Sequence, residues 1–127
     1  MSVTGSCLCG RVTFQIDGTL PPANACHCGQ CRKQSGHFWA STDIARSSLH
    51  MTRDDGLRWY QSSARVRRGF CRACGSFLFW DPQTKDEIAV AMGSLDVPTD
   101  GTLERHIFVG FKGDYYDIDD DLPQNQT

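Results

Sequence analysis

The stretch Cys26-His27-Cys28-Gly29-Gln30-Cys31 decides how the rest of the chain is read. Three thiols and an imidazole stand within six consecutive residues, a run too short to be packed core. Thiols at this density in a soluble chain point to a metal site. Working outward, two further pairs belong with it: Cys7-Leu8-Cys9 towards the N-terminus and Cys71-Arg72-Ala73-Cys74 past the middle. Together the three groups use all seven cysteines. Closed structural zinc sites take four protein ligands, whereas catalytic ones keep three and an open position. Seven thiols divide naturally into four and three.

Composition supports metal over disulfides. At 127 residues the chain reads as a single domain, 1–127. A chain of this size buries roughly two-thirds of its unfolded surface and needs no covalent staples. An odd cysteine count also sits poorly with a complete disulfide framework. The first residues, Met1-Ser2-Val3-Thr4-Gly5-Ser6, show neither a basic start nor an apolar stretch, so no signal peptide is expected. No run reaches the ~18 apolar residues of a membrane span. The expected location is the cytoplasm, where thiols stay reduced. A net charge of −2 gives no general pull towards nucleic acid or anionic membrane, and neither is expected as a partner.

The pattern between the thiols is that of short strands. Arg11 to Asp17 alternates with period two, and Gly18 with Pro21-Pro22 ends it. Ala23–Cys26, His37–Ser41, Ser48–Thr52, Leu57–Gln61, Ala64–Phe70, Ser76–Trp80, Ile88–Met92 and Arg105–Phe111 are the other extended runs. Arg32–Gly36 reads as a turn or half-helix, and Gly75 permits the reversal after Cys74. The acidic end is expected to fray past Pro123. No stretch sustains a helical period. The fold class is mainly β with a few short helical turns.

Spacing alone leaves the metal partners open. Cys28-x-x-Cys31 with Cys71-x-x-Cys74 would make an ordinary zinc ribbon, with Cys7, Cys9 and Cys26 left without a clear role. Alternatively Cys7, Cys9, Cys71 and Cys74 form the closed site, and Cys26, Cys28 and Cys31 the open one.

The motifs Gly5-Ser6-Cys7-Leu8-Cys9-Gly10, Cys26-His27-Cys28-Gly29-Gln30-Cys31-Arg32 and Gly69-Phe70-Cys71-Arg72-Ala73-Cys74-Gly75-Ser76 resemble the glutathione-dependent formaldehyde-activating enzyme (Gfa) family, related to the centromere protein V group. Gly93-Ser94-Leu95-Asp96 and the segment around His106-Ile107 also fit, so the resemblance runs from about residue 5 to 123. It implies an Mss4-like fold of twisted antiparallel sheets pinned by zinc knuckles. It implies the second grouping of thiols, with two zinc ions per chain. One is structural, on Cys7, Cys9, Cys71 and Cys74. The other is at the active site, on Cys26, Cys28 and Cys31. The implied activity is condensation of glutathione with formaldehyde to S-hydroxymethylglutathione, formally a carbon–sulfur lyase run backwards. The implied partners are a small thiol such as glutathione and an aldehyde.

The competing reading is a non-catalytic binding module on the same scaffold, for protein interaction or chromatin association. It would need an exposed apolar or strongly basic patch. Arg65, Arg67 and Arg68 are a weak hint of one. Arg32 and Lys33, next to the three-thiol run, are candidates to hold a substrate carboxylate. Ser6 and Ser76 are candidates to donate to thiolates. His27 is a candidate fourth ligand or proton shuttle in the pocket, although on a strand it points away from Cys26 and Cys28. His37, His50 and His106 read as ordinary histidines, and most of Phe38, Trp39, Trp59, Phe79 and Trp80 as core. Oligomeric state is silent, with a homodimer possible through exposed strand edges.

Overall fold

A computed structural model describes all residues, 1–127. Ten strands and one helix follow in order: β1 (Ser2–Ser6), β2 (Thr13–Asp17), β3 (Ala23–Cys26), α1 (Gly29–Ser35), β4 (Trp39–Ala45), β5 (Leu49–Arg53), β6 (Leu57–Gln61), β7 (Val66–Cys71), β8 (Phe77–Pro82), β9 (Glu87–Ala91) and β10 (Leu103–Ile107). The mainly β class and the Mss4-like architecture hold. β1, β2 and β5 form one antiparallel sheet, and a second runs β10-β3-β4-β9-β8-β7-β6.

Alternation explains the small sheet. In β2, Phe14 and Ile16 are buried while Thr13 and Gln15 lie nearer the surface, as a half-covered strand requires. The buried pair meets Leu78, Phe79, Ile88 and Val90 of the larger sheet, with Phe14 and Phe79 edge to face at 5.2 Å. Gly5 lets β1 lie close over this core: a Cβ there would come 2.6 Å from the Phe14 ring. Truncating Phe14 to Ala would cost about 3–5 kcal/mol.

One pair in the large sheet is parallel. β10 lies beside β3, with Ile107 opposite Cys26 and His106 opposite Ala25. The long crossover that parallel neighbours need is the whole intervening chain. On its other side β3 pairs antiparallel with β4, and Cys26 faces Trp39.

Three sequence expectations are corrected. The last strand ends at Ile107, not Phe111, because Phe108 turns into the left-handed region (φ 54°) and a 3-10 turn follows over Val109–Phe111. The end does not fray at Pro123: His106 donates its N–H to Pro123, Asn125 donates to His106, and Val109 donates to Asn125. The half-helix starts earlier than Arg32, at Gly29, and closes on Gly36 in the left-handed conformation. β1 was not anticipated at all.

Candidate active site

Two separate thiol clusters form. Cys7 and Cys9 lie on the turn leaving β1, while Cys71 ends β7 and Cys74 lies on the turn into β8. All four sulfurs fall within 4.8 Å of one another. Cys7 to Cys9 and Cys9 to Cys71 are both 3.7 Å. A sulfur tetrahedron around a zinc with ~2.3 Å bonds has edges of about 3.8 Å, so the donor set fits that ion. The surroundings favour thiolates. Val12 N–H points to Cys7 Sγ at 3.3 Å and Ala73 N–H to Cys71 Sγ at 3.4 Å. Ser76 Oγ accepts from Leu8 N–H and stands 3.3 Å from Cys74 Sγ. That serine is the main reason the Cys74 thiol is pulled down to about 5. Gly56 lets the β5–β6 turn reach this cluster, since a Cβ there would lie 3.0 Å from Cys71 Sγ and 2.8 Å from Arg11 Cβ.

The second cluster gathers Cys26, Cys28 and Cys31, again with sulfurs within 4.8 Å. Cys26 ends β3. Cys28 caps α1, its sulfur accepting from Cys31 N–H at 3.3 Å, and Cys31 sits in the first turn. Three soft thiols without a fourth protein ligand fit a zinc that keeps one position open. The Cys31 thiol is pulled down to about 6, first by its contact with Cys26 and then by Arg68, while Cys26 is pushed up by Cys31 and by burial.

Arg68 is the charged group of this site. It is only 4% exposed, and its Nη1 lies 3.6 Å from Cys31 Sγ. Its remaining contacts are to Gln30 and Gln34 side-chain oxygens and Ser62 Oγ, all neutral. A buried guanidinium without a carboxylate is costly unless another anion balances it.

The cluster opens into a cleft of about 720 Å³. Register builds its walls: Ile107 and Trp39 flank Cys26 on the neighbouring strands, so their side chains share its face. Trp80, Phe108 and Phe111 add to the apolar lining. Trp39 is held by stacking on Phe77 at 4.2 Å. Phe108 is the unusual member, because a bulky residue in the left-handed region costs roughly 1–2 kcal/mol.

His27 turns to the other side and is fully buried. Its Nδ1 meets Tyr116 Oη, its Nε2 lies 2.9 Å from His106 Nδ1, and His106 Nε2 lies 2.8 Å from Asp120. One direction of donation satisfies all four groups: Tyr116 O–H to His27, His27 to His106, His106 to the carboxylate. Burial and the neighbouring His106 hold the His27 imidazole down at about 4.

The model of the family described as glutathione-dependent formaldehyde-activating enzyme matches residues 2–110. The chain belongs to this family. A Halomonas elongata protein provisionally named glutathione-dependent formaldehyde-activating enzyme is 27% identical over 94% of this chain and 82% of its own length. A Schizosaccharomyces pombe protein called an uncharacterized lyase is 28% identical over 60% of this chain and 55% of that one. A Rhodobacter sphaeroides crystal structure superposes with a TM-score of 0.66 at 21% identity, covering 96% of this chain and 99% of that one, a likeness of fold.

Set beside the family motifs, the structure brings together the same two groups of thiols that the resemblance implies, and the zinc-ribbon pairing of Cys28 and Cys31 with Cys71 and Cys74 does not form. Ser76 contacts a thiol of the closed group. Arg32 and Lys33 do not line the cleft beside the trio. Arg68, read in the sequence as one of three arginines before a knuckle, is the residue that sequence reasoning missed. Its signal was alternation: Arg67 turns to the face that carries Trp59 and Asp81, so Arg68 turns to the opposite face, towards the trio.

Proposed function

We propose that this Gfa-family protein is a single-domain, cytoplasmic, zinc-dependent carbon–sulfur lyase that also runs as a thiol–aldehyde adduct synthase. The reaction is the addition of a small thiol such as glutathione to an aldehyde, of the kind that gives S-hydroxymethylglutathione when the aldehyde is formaldehyde. The observation that carries this reading is the three-thiol cluster opening into a cleft beside the buried Arg68. Zinc on Cys26, Cys28 and Cys31 would supply the Lewis acidity that lowers the pKa of an incoming thiol.

The chain's own residues do the rest. With three thiolates around a divalent ion the centre would be net negative, and the Arg68 guanidinium stands where it would balance that charge at Cys31. Such a donor set would suit soft sulfur ligands better than water activation, and so thiol delivery better than hydrolysis. Trp39, Ile107 and Trp80 exclude water from one side of the cluster, which strengthens every electrostatic contact inside it. The cleft holds thiol and carbonyl together, and orientation is the main help an addition with small intrinsic barriers needs. The other cluster, on Cys7, Cys9, Cys71 and Cys74, is a second zinc site that ties the N-terminal turn to the β7–β8 hairpin. Structural zinc supplies about 10–16 kcal/mol of apparent binding energy, comparable with the ~5–15 kcal/mol of a whole domain.

The test is exchange NMR of an equilibrium mixture of glutathione and 13C-formaldehyde with catalytic protein. Faster interconversion of adduct and free thiol is the expected result, abolished in a folded Cys28→Ala variant. No acceleration by zinc-loaded wild type favours the binding-module reading instead.

A further inference from the structure

Formaldehyde has two heavy atoms, and the cleft beside Cys26, Cys28 and Cys31 measures about 720 Å³. A thiol the size of glutathione takes up much of that volume, but the apolar rim at Trp80, Phe108 and Phe111 suits neither a polar peptide nor formaldehyde. Two aromatic rings at this cleft are unexplained by folding. Phe108 is 38% exposed and Phe111 is 57% exposed, and their ring centroids are 6.5 Å apart. Phe108 also holds φ 54° and ψ 37°, a conformation that glycine adopts freely and a bulky side chain does not. Strain kept at a cleft wall for a half-exposed ring marks a position selected for contact with a ligand.

We infer that the carbonyl substrate of this cleft is an aldehyde carrying an apolar group of aryl or alkyl type, seated between Phe108, Phe111 and Trp80. This rests on the proposed thiol–aldehyde chemistry and names its substrate class. The step balances without oxidant or reductant. The thiol sulfur adds to the carbonyl carbon, the C=O π bond opens, the thiol proton ends on the oxygen, and the product is a hemithioacetal. The polar features of the cleft suit the thiol partner's end, which in glutathione carries both carboxylates and an ammonium: Arg68 lies deep, Asp43 and Lys85 also line the wall, and Asn24 Oδ1 is buried without a donor. The apolar rim lies beside Ile107, one residue before Phe108, so a group attached to the reacting carbon reaches it directly.

The experiment has two arms on zinc-loaded, full-length protein. In the first, exchange rates with glutathione are compared for phenylacetaldehyde and formaldehyde, in wild type, Phe108→Gly and Phe111→Ala. Glycine suits the backbone at 108 and residue 111 is mostly exposed, so both variants are expected to fold. The expected result is a higher kcat/KM for phenylacetaldehyde in wild type, with that preference reduced about threefold to tenfold in each variant. A wild type that prefers formaldehyde overturns the inference. In the second arm, the unreactive 2-phenylethanol is titrated against tryptophan fluorescence, which needs no turnover. Saturable binding weakened by a similar factor in Phe108→Gly supports the apolar subsite even if neither aldehyde is turned over, in which case the thiol–aldehyde reading alone has failed. Absence of binding overturns the subsite, as does a wild-type dimer that Phe108→Gly makes monomeric without 2-phenylethanol binding, which assigns the rim to a second copy.

Discussion

Arg68 Nη1 stands 3.6 Å from Cys31 Sγ, and no carboxylate answers the guanidinium. The pairing ties β7 to the first turn of α1 and joins the charge of the site to its scaffold. Arg68→Met is expected to leave an uncompensated anionic trio and to remove the donor to the Gln34 oxygen. Affinity of the second metal site should fall at least about tenfold, as losses of supporting contacts to metal ligands do. Arg68→Lys keeps the charge without the fork and should fall between the two. Competition with a chromophoric chelator reads both, with circular dichroism as the check on folding.

The two clusters should respond oppositely to loss of one thiol. Cys71→Ser removes a ligand from the site that joins the N-terminal turn to the β7–β8 hairpin, and the expected product is unfolded or insoluble. Cys28→Ala removes a ligand next to a cleft and should leave the protein folded but inactive. Melting curves of the two variants compared with wild type check this. A folded Cys71→Ser protein, or an unfolded Cys28→Ala one, would exchange the assigned roles.

Asp81 is 1% exposed and receives both Arg46 at 2.7 Å and Arg67 at 2.8 Å. Burial pushes its carboxyl up, but the two guanidiniums outweigh it and hold it below its ordinary value of 3.8. A carboxyl depressed in the folded state adds stability above its unfolded pKa, and that stability is lost as pH falls through the folded value. Arg46 and Arg67 are 39% and 34% exposed, so water can take up their charge, and Asp81→Asn should cost about 1–3 kcal/mol at neutral pH. The deficit should shrink below about pH 4, where the wild-type carboxyl also takes a proton. Denaturant melts at pH 7 and pH 3, in a zinc-free buffer comparison at each pH, measure the difference.

Tyr116 and His27 are partners across most of the chain. Tyr116→Phe leaves His27 Nδ1 buried without a donor, at a cost of about 1–3 kcal/mol. Thermal unfolding checks the loss. A variant as stable as wild type would mean that water replaces the hydroxyl.

Much of this was legible beforehand. Period-two alternation marked β2, because one of its faces meets the core at Phe14 and Ile16 and the other does not. The cysteine motifs marked both clusters, because thiols two or three residues apart in a short turn can converge on one point. β1 escaped because its Ser-Val-Thr-Gly-Ser run has almost no apolar period, and is a strand through pairing with β2 and the close approach that Gly5 allows. The parallel pairing of β10 with β3, and with it Ile107 at Cys26, is a matter of topology that no local pattern carries. The ordered tail escaped for the same reason: its hydrogen bonds to His106 and Val109 lie on an edge that exists only once β10 is in place. Arg68 was visible as a charge, but its burial follows from the fold around it.

On the proposed reading, one chain holds a closed, structural zinc and an open, reactive one. The most direct measurement is zinc content of reduced, untagged protein, as purified and after zinc loading and desalting, followed by timed removal with a chelator. Two ions per chain are expected, one leaving readily as the thiols of Cys26, Cys28 and Cys31 become reactive to a thiol reagent, the other staying until the protein unfolds. A single firmly held ion, with three thiols reactive from the start, would contradict the claim and leave the trio beside Arg68 without the chemistry assigned to it.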